Sequence, residues 1–238
     1  MAQFVRYSKI VGEKCLLKSP STNPTQTCPL CASAEVIDYH TDKIRHYLCC
    51  EQCELVFVSK EYHLSEADEK GVYDQHQNNS EDAGYRLFLS RLIEPLLDSI
   101  APNSRGLDFG SGPGPTLSLM LSEQGHEMTI YDPFYAPNFS ALDSTYDFIT
   151  TTEVVEHLSA PGDELQRLWR LLRPGGWLGV MTKLVIDQEA FSRWHYKNDP
   201  THVCFFSKTS FNYLANSWHT RAKYYGSDVI LLQKPAQG

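Results

Sequence analysis

The fold of this chain is decided by the stretch Leu107-Asp108-Phe109-Gly110-Ser111-Gly112-Pro113-Gly114. Apolar residues end in an acid, a glycine-rich turn follows, and Thr116 to Gln124 then have the pattern of a helix. Glycine allows the backbone to turn tightly and to bring its N–H groups against a ligand. Asp132 closes the next predicted strand, where a carboxylate can accept both hydroxyls of a ribose. The stretch therefore predicts a strand, a ligand-binding turn and a helix; a turn without a ligand is the alternative.

The glycine spacing separates two classes of cofactor. A dinucleotide fingerprint would require glycine at position 115, where this chain has Pro115, and this disfavours a nicotinamide dehydrogenase. The pattern D-x-G-x-G-x-G resembles the class I S-adenosylmethionine (SAM)-dependent methyltransferases, from about residue 84 to 235. This resemblance implies a Rossmann-like α/β fold with SAM as the cofactor. The cofactor-binding residues that it implies are Asp108, Gly110, Ser111, Gly112, Gly114, Asp132, Phe134, Thr152 and Glu153.

The composition limits the class of protein. The 238 residues suit one large or two smaller domains, and the net charge of −8 argues against broad attraction to nucleic acid or anionic membrane. No apolar run approaches the ~18 residues of a membrane span. The first residues carry charged side chains instead of an apolar core, so we expect no signal peptide. Seven cysteines without such a signal indicate thiols or metal ligands, and we expect a cytoplasmic protein.

Four cysteines have the spacing of a tetrahedral zinc site. The pattern C-x2-C-x18-C-x2-C is formed by Cys28, Cys31, Cys50 and Cys53. Each C-x2-C pair forms a tight knuckle that directs two thiolates at one ion, and the short strand patterns around the pairs predict a zinc ribbon. Cys49 is an alternative to Cys50, and chance clustering in a hairpin is the competing interpretation. Cys15 and Cys204 have no partner by spacing and are expected to be ordinary apolar residues.

Composition shifts suggest how the chain is organised. The proposed segments are a flexible lead-in over residues 1–26, the zinc ribbon over 27–62, a linker and helix over 63–100, and a methyltransferase domain over 101–238. The helix of the third segment is expected to be kinked at Pro95. In the fourth segment Pro161 opens a helix and Ser207 caps another. The predicted strands of that segment are 105–109, 128–131, 147–150, 177–182, 222–225 and 229–233.

One departure from the family pattern concerns the third strand. The residues between Asp132 and Asp147 are mostly loop-like, so a helix and a third strand do not fit there. The sequence therefore predicts an abbreviated sheet, without the polar residue that usually follows the third strand and contacts adenine. Phe134 and Tyr135 are expected to flank the adenine instead, or to belong to the core.

A second polar cluster follows the fourth predicted strand. Glu153, Glu156 and His157 have the spacing i, i+3 and i+4, which on a helix places all three on one face. His195 and His202 come later, before a Phe-rich strand and helix. The pattern E-x-x-E-H with a later histidine resembles the ubiquinone-pathway O-methyltransferases and the small-RNA 2′-O-methyltransferases. In those families this constellation holds a divalent cation beside the methyl-accepting hydroxyl.

Carried over to this chain, the resemblance implies a cation held by Glu153, Glu156, His157 and His202. A bound cation lowers the pKa of a hydroxyl and orients it. The mixed oxygen and nitrogen donors suit Mn²⁺, Fe²⁺ or Zn²⁺ better than Mg²⁺. Two alternatives stay open: His157, His195 or His202 acts as a general base without metal, or the glutamates form a solvated helix face.

Together these features predict a SAM-dependent methyltransferase that acts on a hydroxyl of a small molecule or of RNA. The ribbon joined to such a domain also resembles sugar C-methyltransferases, which makes C-methylation of a sugar-like molecule an alternative. A zinc-ribbon module that binds RNA or protein, with a SAM-binding but inactive domain, is another. Tyr73, His76 and Asn78 precede the catalytic domain as substrate-side candidates or as part of a surface linker. No sequence feature indicates a protein partner.

Overall fold

A computed structural model describes residues 26–75 and 79–236. The predictions for Cys15, His76, Asn78 and the lead-in before residue 26 lie outside these residues. The strands are β1 (Val36–Thr41), β2 (His46–Cys50), β3 (Val56–Val58), β4 (Arg105–Phe109), β5 (Glu127–Tyr131), β6 (Tyr146–Thr152), β7 (Leu172–Met181), β8 (Cys204–Phe205), β9 (Ala222–Tyr225) and β10 (Val229–Gln233). The α-helices are α1 (Glu66–Tyr73), α2 (Ala83–Leu97), α3 (Thr116–Glu123), α4 (Pro161–Leu171), α5 (Gln188–Ser192) and α6 (Lys208–Ser217).

The larger sheet has the strand order β5-β4-β6-β7-β10-β9. Its first four strands are parallel, and β10 and β9 are antiparallel to their neighbours. Within the described residues β5 is an edge strand. A short 3₁₀ turn at Phe139–Asp143 lies where the family pattern has a helix and a third strand. The predicted α/β class and the abbreviated sheet are therefore confirmed.

Helices cover both faces of this sheet. Successive side chains of a strand point to opposite faces. Phe148 accordingly packs with α2 and α3, while its neighbour Ile149 packs in the core that contains residues of α4 and α6. Both side chains have no exposed surface. The site described below therefore rests on strands that are buried on two sides. None of the helices in the described ranges is long and apolar enough to cross a bilayer.

The largest difference from the predicted bounds is at the start of β7. The strand β7 begins at Leu172 and includes Arg173-Pro174-Gly175-Gly176, which we expected to be the end of a helix before a later strand. The helix α2 begins after Asp82, whose carboxylate accepts the N–H of Tyr85, and it contains Pro95. This short polar N-cap explains why the helix begins at Ala83.

The smaller sheet joins the amino-terminal residues to the rest of the chain. Its order is β1-β2-β3-β8, so a strand from beyond residue 200 completes the sheet of the predicted ribbon. In this pairing Val56 lies opposite Phe205, and Phe57 lies opposite Cys204. The Gly162 N–H also donates to the carbonyl of Pro29 at 3.1 Å, which docks the first cysteine knuckle on α4. The division of the chain at residues 62 and 100 stays a prediction.

A pair of helical glycines tests this docking. A Cβ at Gly162 would lie 2.4 Å from the carbonyl oxygen of Leu30, whereas nothing lies within 4 Å of a Cβ at Gly71. Alanine is favoured over glycine in helices by ~1 kcal/mol. We expect Gly71→Ala to raise the free energy of unfolding by up to that amount, and Gly162→Ala to lower it by ~1–3 kcal/mol through the clash. Urea denaturation measures both; equal stabilisation would contradict the docking.

Candidate active site

The glycine turn lies at the carboxyl end of β4. Gly110 and Gly112 have φ angles of +79° and +64°, in the left-handed region that favours glycine. The N–H of Gly110 donates to the carbonyl of Tyr131 at 2.8 Å, which ties the turn to β5. A Cβ at position 110 would lie 2.4 Å from Val154, so the turn also passes close to the residues after β6. Gly114 continues the turn, and its carbonyl accepts the N–H of Thr116.

Asp132 holds the turn and the loop after β5 together. One carboxylate oxygen accepts the N–H of Gly112 at 2.9 Å, and the other accepts those of Phe134 and Tyr135 at 2.8 and 2.9 Å. The residue is 7% exposed. The structure thus places the predicted ribose acceptor beside the glycine turn, with its carboxylate fixed by backbone donors. Phe134 and Tyr135 are only partly buried, which removes the core alternative for them.

Asp108 faces the interior. Its carboxylate accepts hydrogen bonds from Ser118 at 3.0 Å and from Thr150 at 3.1 Å, and the residue is 4% exposed. Burial raises the pKa of this carboxyl to about 6, although these two hydroxyl donors act in the opposite direction. Because Ser118 lies on α3 and Thr150 on β6, these bonds join β4, α3 and β6 beneath the turn.

Several buried oxygens in this region have no hydrogen-bond partner among the residues that the structure describes. They are the hydroxyls of Ser111, Thr151 and Thr152 and one carboxylate oxygen of Glu153. Buried polar atoms without a hydrogen bond are rare in folded proteins. Their concentration at the ends of β4 and β6 fits a polar ligand that supplies the missing partners. Three of these residues, Ser111, Thr152 and Glu153, are among the predicted cofactor contacts.

The predicted helix over residues 153–157 is wrong. Glu153 has a φ of +53°, and only a single 3₁₀ turn follows at Val155–His157. The Glu153 N–H donates to the carbonyl of Met181 instead of entering a helix. The spacing i, i+3, i+4 therefore does not place Glu153 with the others. Among the described residues, the group that can converge on one ion contains Glu156, His157 and His202 without Glu153.

These three residues form a compact cluster. One ligand atom of each lies within 4.8 Å of the other two, and the two imidazole centroids are 4.6 Å apart. The Nδ1–H of His202 donates to the carbonyl of Tyr196 at 2.8 Å, and that of His157 donates to Thr201 at 3.2 Å. A carbonyl can only accept, so both rings donate through Nδ1, and a neutral ring in this tautomer has Nε2 as its acceptor atom. Backbone carbonyls orient metal-binding histidines in the same way.

The carboxylates are held in a poorly hydrated environment. Glu156 has no exposed surface, and burial raises the pKa of both Glu153 and Glu156. The hydroxyl of Thr182 donates to Glu156 at 2.9 Å, and the Tyr196 hydroxyl contacts both glutamates. Burial and the nearby His157 lower the pKa of His202, which keeps its imidazole neutral. A neutral imidazole at His202, beside a buried carboxylate, is suited to bind a cation or to accept a proton.

Other predicted residues lie around this cluster. His195 is exposed in a short 3₁₀ turn and is not part of the group. The ring of Tyr73 is 5.3 Å from that of His157 and 5.9 Å from that of Phe134, so α1 covers the space between the glycine turn and the cluster. Tyr196 is a site residue that sequence reasoning missed. It lies next to the predicted His195, but no spacing rule connects it with the glutamates.

The four predicted zinc ligands also converge. Their sulfur atoms all lie within 4.8 Å of one another, and the Cys28–Cys53 and Cys31–Cys50 pairs are 3.5 and 3.4 Å apart. A disulfide needs sulfur atoms ~2.05 Å apart, whereas tetrahedral zinc–sulfur bonds of ~2.3 Å give sulfur separations of about 3.8 Å. The cluster contains Cys50 and not its neighbour Cys49.

The two cysteine knuckles have the same backbone geometry. In the first, the Cys28 carbonyl accepts the N–H of Ala32, and in the second, the Cys50 carbonyl accepts the N–H of Glu54, both at 2.9 Å. Ala32 and Glu54 have positive φ angles of 60° and 54°. Two matching turns that direct four thiols at one point fit a tetrahedral metal.

More than half of the chain matches a known protein family. A family model described as a methyltransferase domain matches residues 81–217. The chain belongs to this methyltransferase family. A ubiquinone biosynthesis O-methyltransferase from Aeromonas salmonicida is 31% identical over 77 residues, which is 32% of this chain and 32% of that relative. The chain thus matches about a third of that relative's length.

Solved methyltransferases resemble the chain at low identity. A 1,6-didemethyltoxoflavin-N1-methyltransferase from Burkholderia thailandensis, solved with its acceptor and S-adenosylhomocysteine, is 16% identical, with a TM-score of 0.49 and coverage of 83% of this chain and 99% of that one. A SAM-dependent methyltransferase from Archaeoglobus fulgidus is 15% identical, with a TM-score of 0.49 and coverage of 63% and 94%.

The family match divides the candidate residues of this methyltransferase into two groups. Residues 81–217 include the glycine turn, Asp132, the residues after β6 and His202, but none of the four clustered cysteines. The predicted resemblance to the class I SAM-dependent methyltransferases is therefore confirmed. The four cysteines and the strands β1 to β3 around them precede the matched residues and are called the cysteine module below.

The raised pKa of Asp108 gives this methyltransferase a characteristic pH dependence. The folded carboxyl has a pKa of about 6, against ~3.9 for an exposed aspartate, so the folded state binds the proton more tightly. The favourable contribution of the Asp108 carboxyl to the free energy of unfolding is complete below about pH 4 and is lost as the pH rises through about 6. We expect Asp108→Asn to gain stability relative to wild type over that interval, by up to ~3 kcal/mol for a shift of two pKa units.

Asp147 is the matched control for this measurement. Burial acts to raise its pKa, but the Arg105 N–H and the Arg173 side chain lower it below its ordinary value. Its contribution is therefore present at higher pH and lost as the pH falls, so Asp147→Asn should lose stability relative to wild type as the pH rises. Guanidinium denaturation at several pH values measures the stability of both variants. Parallel pH trends for the two variants would contradict the assignment.

Proposed function

We propose that this methyltransferase transfers the methyl group of SAM to a hydroxyl oxygen of its acceptor, at the cluster of Glu156, His157 and His202. The observation that carries the proposal is the closeness of two features at one sheet edge. Val154 contacts the glycine turn, and the 3₁₀ turn that begins at the next residue carries two members of the cluster. A cofactor over the turn and an acceptor at the cluster would therefore be neighbours.

The first half of the proposal concerns SAM. The Asp132 carboxylate suits the ribose, because the oxygen that accepts the Gly112 N–H has a further lone pair for a hydroxyl. The unpartnered hydroxyls of Ser111 and Thr152 supply further polar contacts. Asp108 is assigned a supporting role, since its hydrogen bonds join β4 to α3 and β6 beneath the turn. Phe134 and the partly buried Tyr135 are the aromatic residues that would adjoin the adenine.

The second half concerns the acceptor hydroxyl. A hydroxyl is a weak nucleophile at neutral pH and needs a base or a cation. Glu156, His157 and His202 offer one carboxylate and two imidazole donors to Mn²⁺, Fe²⁺ or Zn²⁺, and a cation bound there would lower the pKa of the hydroxyl. The similarity to a ubiquinone biosynthesis O-methyltransferase supports oxygen as the methyl acceptor.

The cluster also supports a proposal without metal. The neutral His202 is oriented by the Tyr196 carbonyl, so its Nε2 can accept the proton of the hydroxyl directly. Asp199 has a carboxylate oxygen 3.8 Å from that Nε2 and would stabilise the imidazolium that forms. Both versions assign the reacting oxygen to the same place. They differ in whether a cation is bound.

The cysteine cluster is proposed to hold a structural zinc. Four thiolates fill the coordination shell of tetrahedral zinc and leave no position for a substrate. An ion there would stabilise a module whose own strands are short, in a reducing compartment such as the cytoplasm.

Binding of S-adenosylhomocysteine tests the cofactor site. We expect micromolar affinity for the wild type and a loss of ~1.5–3 kcal/mol in Asp132→Ala, because charge-assisted hydrogen bonds to the ribose and the ordering of the loop are removed. Asp143→Ala, an exposed aspartate in the turn after β5, is the control and should bind like wild type. Isothermal titration measures all three. Unchanged affinity in a folded Asp132→Ala protein would exclude Asp132 from the site.

A manganese titration tests the cluster. In zinc-loaded protein we expect one further site for Mn²⁺, which prefers oxygen and nitrogen donors and does not displace zinc from thiolates. His202→Ala should abolish this site without changing the affinity for S-adenosylhomocysteine. The exposed His195→Ala is the matched control and should bind Mn²⁺ normally. If the wild type binds no Mn²⁺ by electron paramagnetic resonance, the metal version fails and the general-base version replaces it.

Elemental analysis tests the zinc site. We expect about one zinc per wild-type chain and its loss when Cys28 and Cys53 are both changed to serine, since two ligands are removed. Cys49→Ser is the matched control, because Cys49 is buried beside Cys50 but lies outside the cluster. Full zinc content in the double variant, or equal loss in the control, would contradict the assignment.

A further inference from the structure

We infer that Arg45, in the cysteine module, is a positioning residue for the segment that carries His202. This segment, residues 196–202, is called the histidine segment below. The inference rests on the proposed function, in which His202 serves the acceptor cluster. It gives the module a role beyond its own stability: to fix the geometry of the active site.

The Arg45 side chain is buried between the module and the histidine segment. It is 6% exposed, and its guanidinium donates to three backbone carbonyls of that segment. These carbonyls belong to Lys197, to Asp199 at 3.0 Å and to His202 at 2.8 Å. Its Nε–H donates to the Tyr47 hydroxyl at 3.2 Å. A planar guanidinium with five fixed donors can hold several carbonyls at once, which a flexible ammonium cannot do in the same geometry.

A second set of contacts holds the same two elements together. Asp42, in the turn between β1 and β2, accepts the N–H groups of Ile44 and Arg45, both at 2.8 Å, and the Tyr47 hydroxyl at 2.9 Å. Its carboxylate lies 3.5 Å from the Lys197 ammonium, which is also buried. Arg45 is thus presented by a rigid turn, since its own N–H is bonded to Asp42.

Hydrogen bonds of the histidine segment connect Arg45 with the cluster. The His202 carbonyl accepts a hydrogen bond from Arg45, while the His202 ring donates to the Tyr196 carbonyl at the other end of the segment. The next residue, Val203, donates its N–H to the carbonyl of Glu156 at 2.8 Å. The ring orientation of His202 and its distance from Glu156 therefore depend on the path of this segment. Without Arg45, buried carbonyls of this segment would lose their donors, and the segment would shift to satisfy them.

The position of Arg45 also connects the cysteine cluster with the active site. Arg45 directly precedes β2, and β2 ends at Cys50, one of the clustered cysteines. One short strand therefore joins the cluster to the guanidinium. The other edge of β2 pairs with β3. In turn, β3 pairs with β8, which begins two residues after His202.

The variant Arg45→Lys tests the inference. It keeps the positive charge and much of the buried volume but cannot reproduce the fork of hydrogen bonds. Residues that orient metal ligands typically contribute 10–100-fold to affinity, so we expect about a tenfold or greater loss of Mn²⁺ affinity. Zinc content and the affinity for S-adenosylhomocysteine should stay at wild-type values. Arg193→Lys is the matched control, because Arg193 precedes the same segment but is exposed and paired with Glu189.

Hydrogen exchange of the Val203 amide gives a readout that does not need the cation. We expect faster exchange at Val203 in Arg45→Lys, with unchanged exchange at Leu107 in β4, and wild-type exchange at both amides in Arg193→Lys. If the wild type binds no Mn²⁺, the metal version of the proposed function fails while this measurement still decides the role of Arg45. Wild-type exchange at Val203 in folded Arg45→Lys would overturn the inference, as would wild-type Mn²⁺ affinity where the wild type binds the ion.

Discussion

The parallel pairing of β4 with β6 is the constraint on which the site depends. Asp108 lies opposite Thr150 in this pairing, and the two side chains are hydrogen-bonded at 3.1 Å. Because both strands run in the same direction, the glycine turn and the residues after β6 leave the sheet at the same edge. The pairing also requires a glycine, since a Cβ at Gly106 would lie 2.2 Å from the ring of Phe148. The ligand-binding edge and the packing beneath it are thus parts of one arrangement.

Local patterns in the sequence predict most of the fold. The strand before the glycine turn and the two carboxy-terminal strands have the expected bounds, because each is a short apolar run between clear turn residues. The absence of a third strand followed from the loop-like residues after Asp132. The error at residues 153–157 has a physical cause. The spacing of polar residues in a helix can also occur in a turn, and sequence gives no sign that Glu153 adopts a positive φ.

The candidate site could be predicted only in part, because some of its contacts join distant parts of the chain. Glu156, His157 and His202 were identifiable by residue type and by their similarity to known families. Tyr196 was not, since an isolated tyrosine has no spacing signal and its contacts with the glutamates depend on how the segment folds back. Charged residues such as Arg45 are rarely buried, so from sequence it resembled a surface residue of a hairpin.

The pairing of β3 with β8 has a consequence for biosynthesis. The strands β1 to β3 leave the ribosome long before residues 204–205, so β3 is an unpaired sheet edge until most of the chain has been made. Unpaired edges of apolar strands invite association with other chains. The side chains of β3, Val56-Phe57-Val58, are all buried in the finished structure. The smaller sheet can therefore be completed only after residue 205 has been made, when β8 covers the free edge of β3.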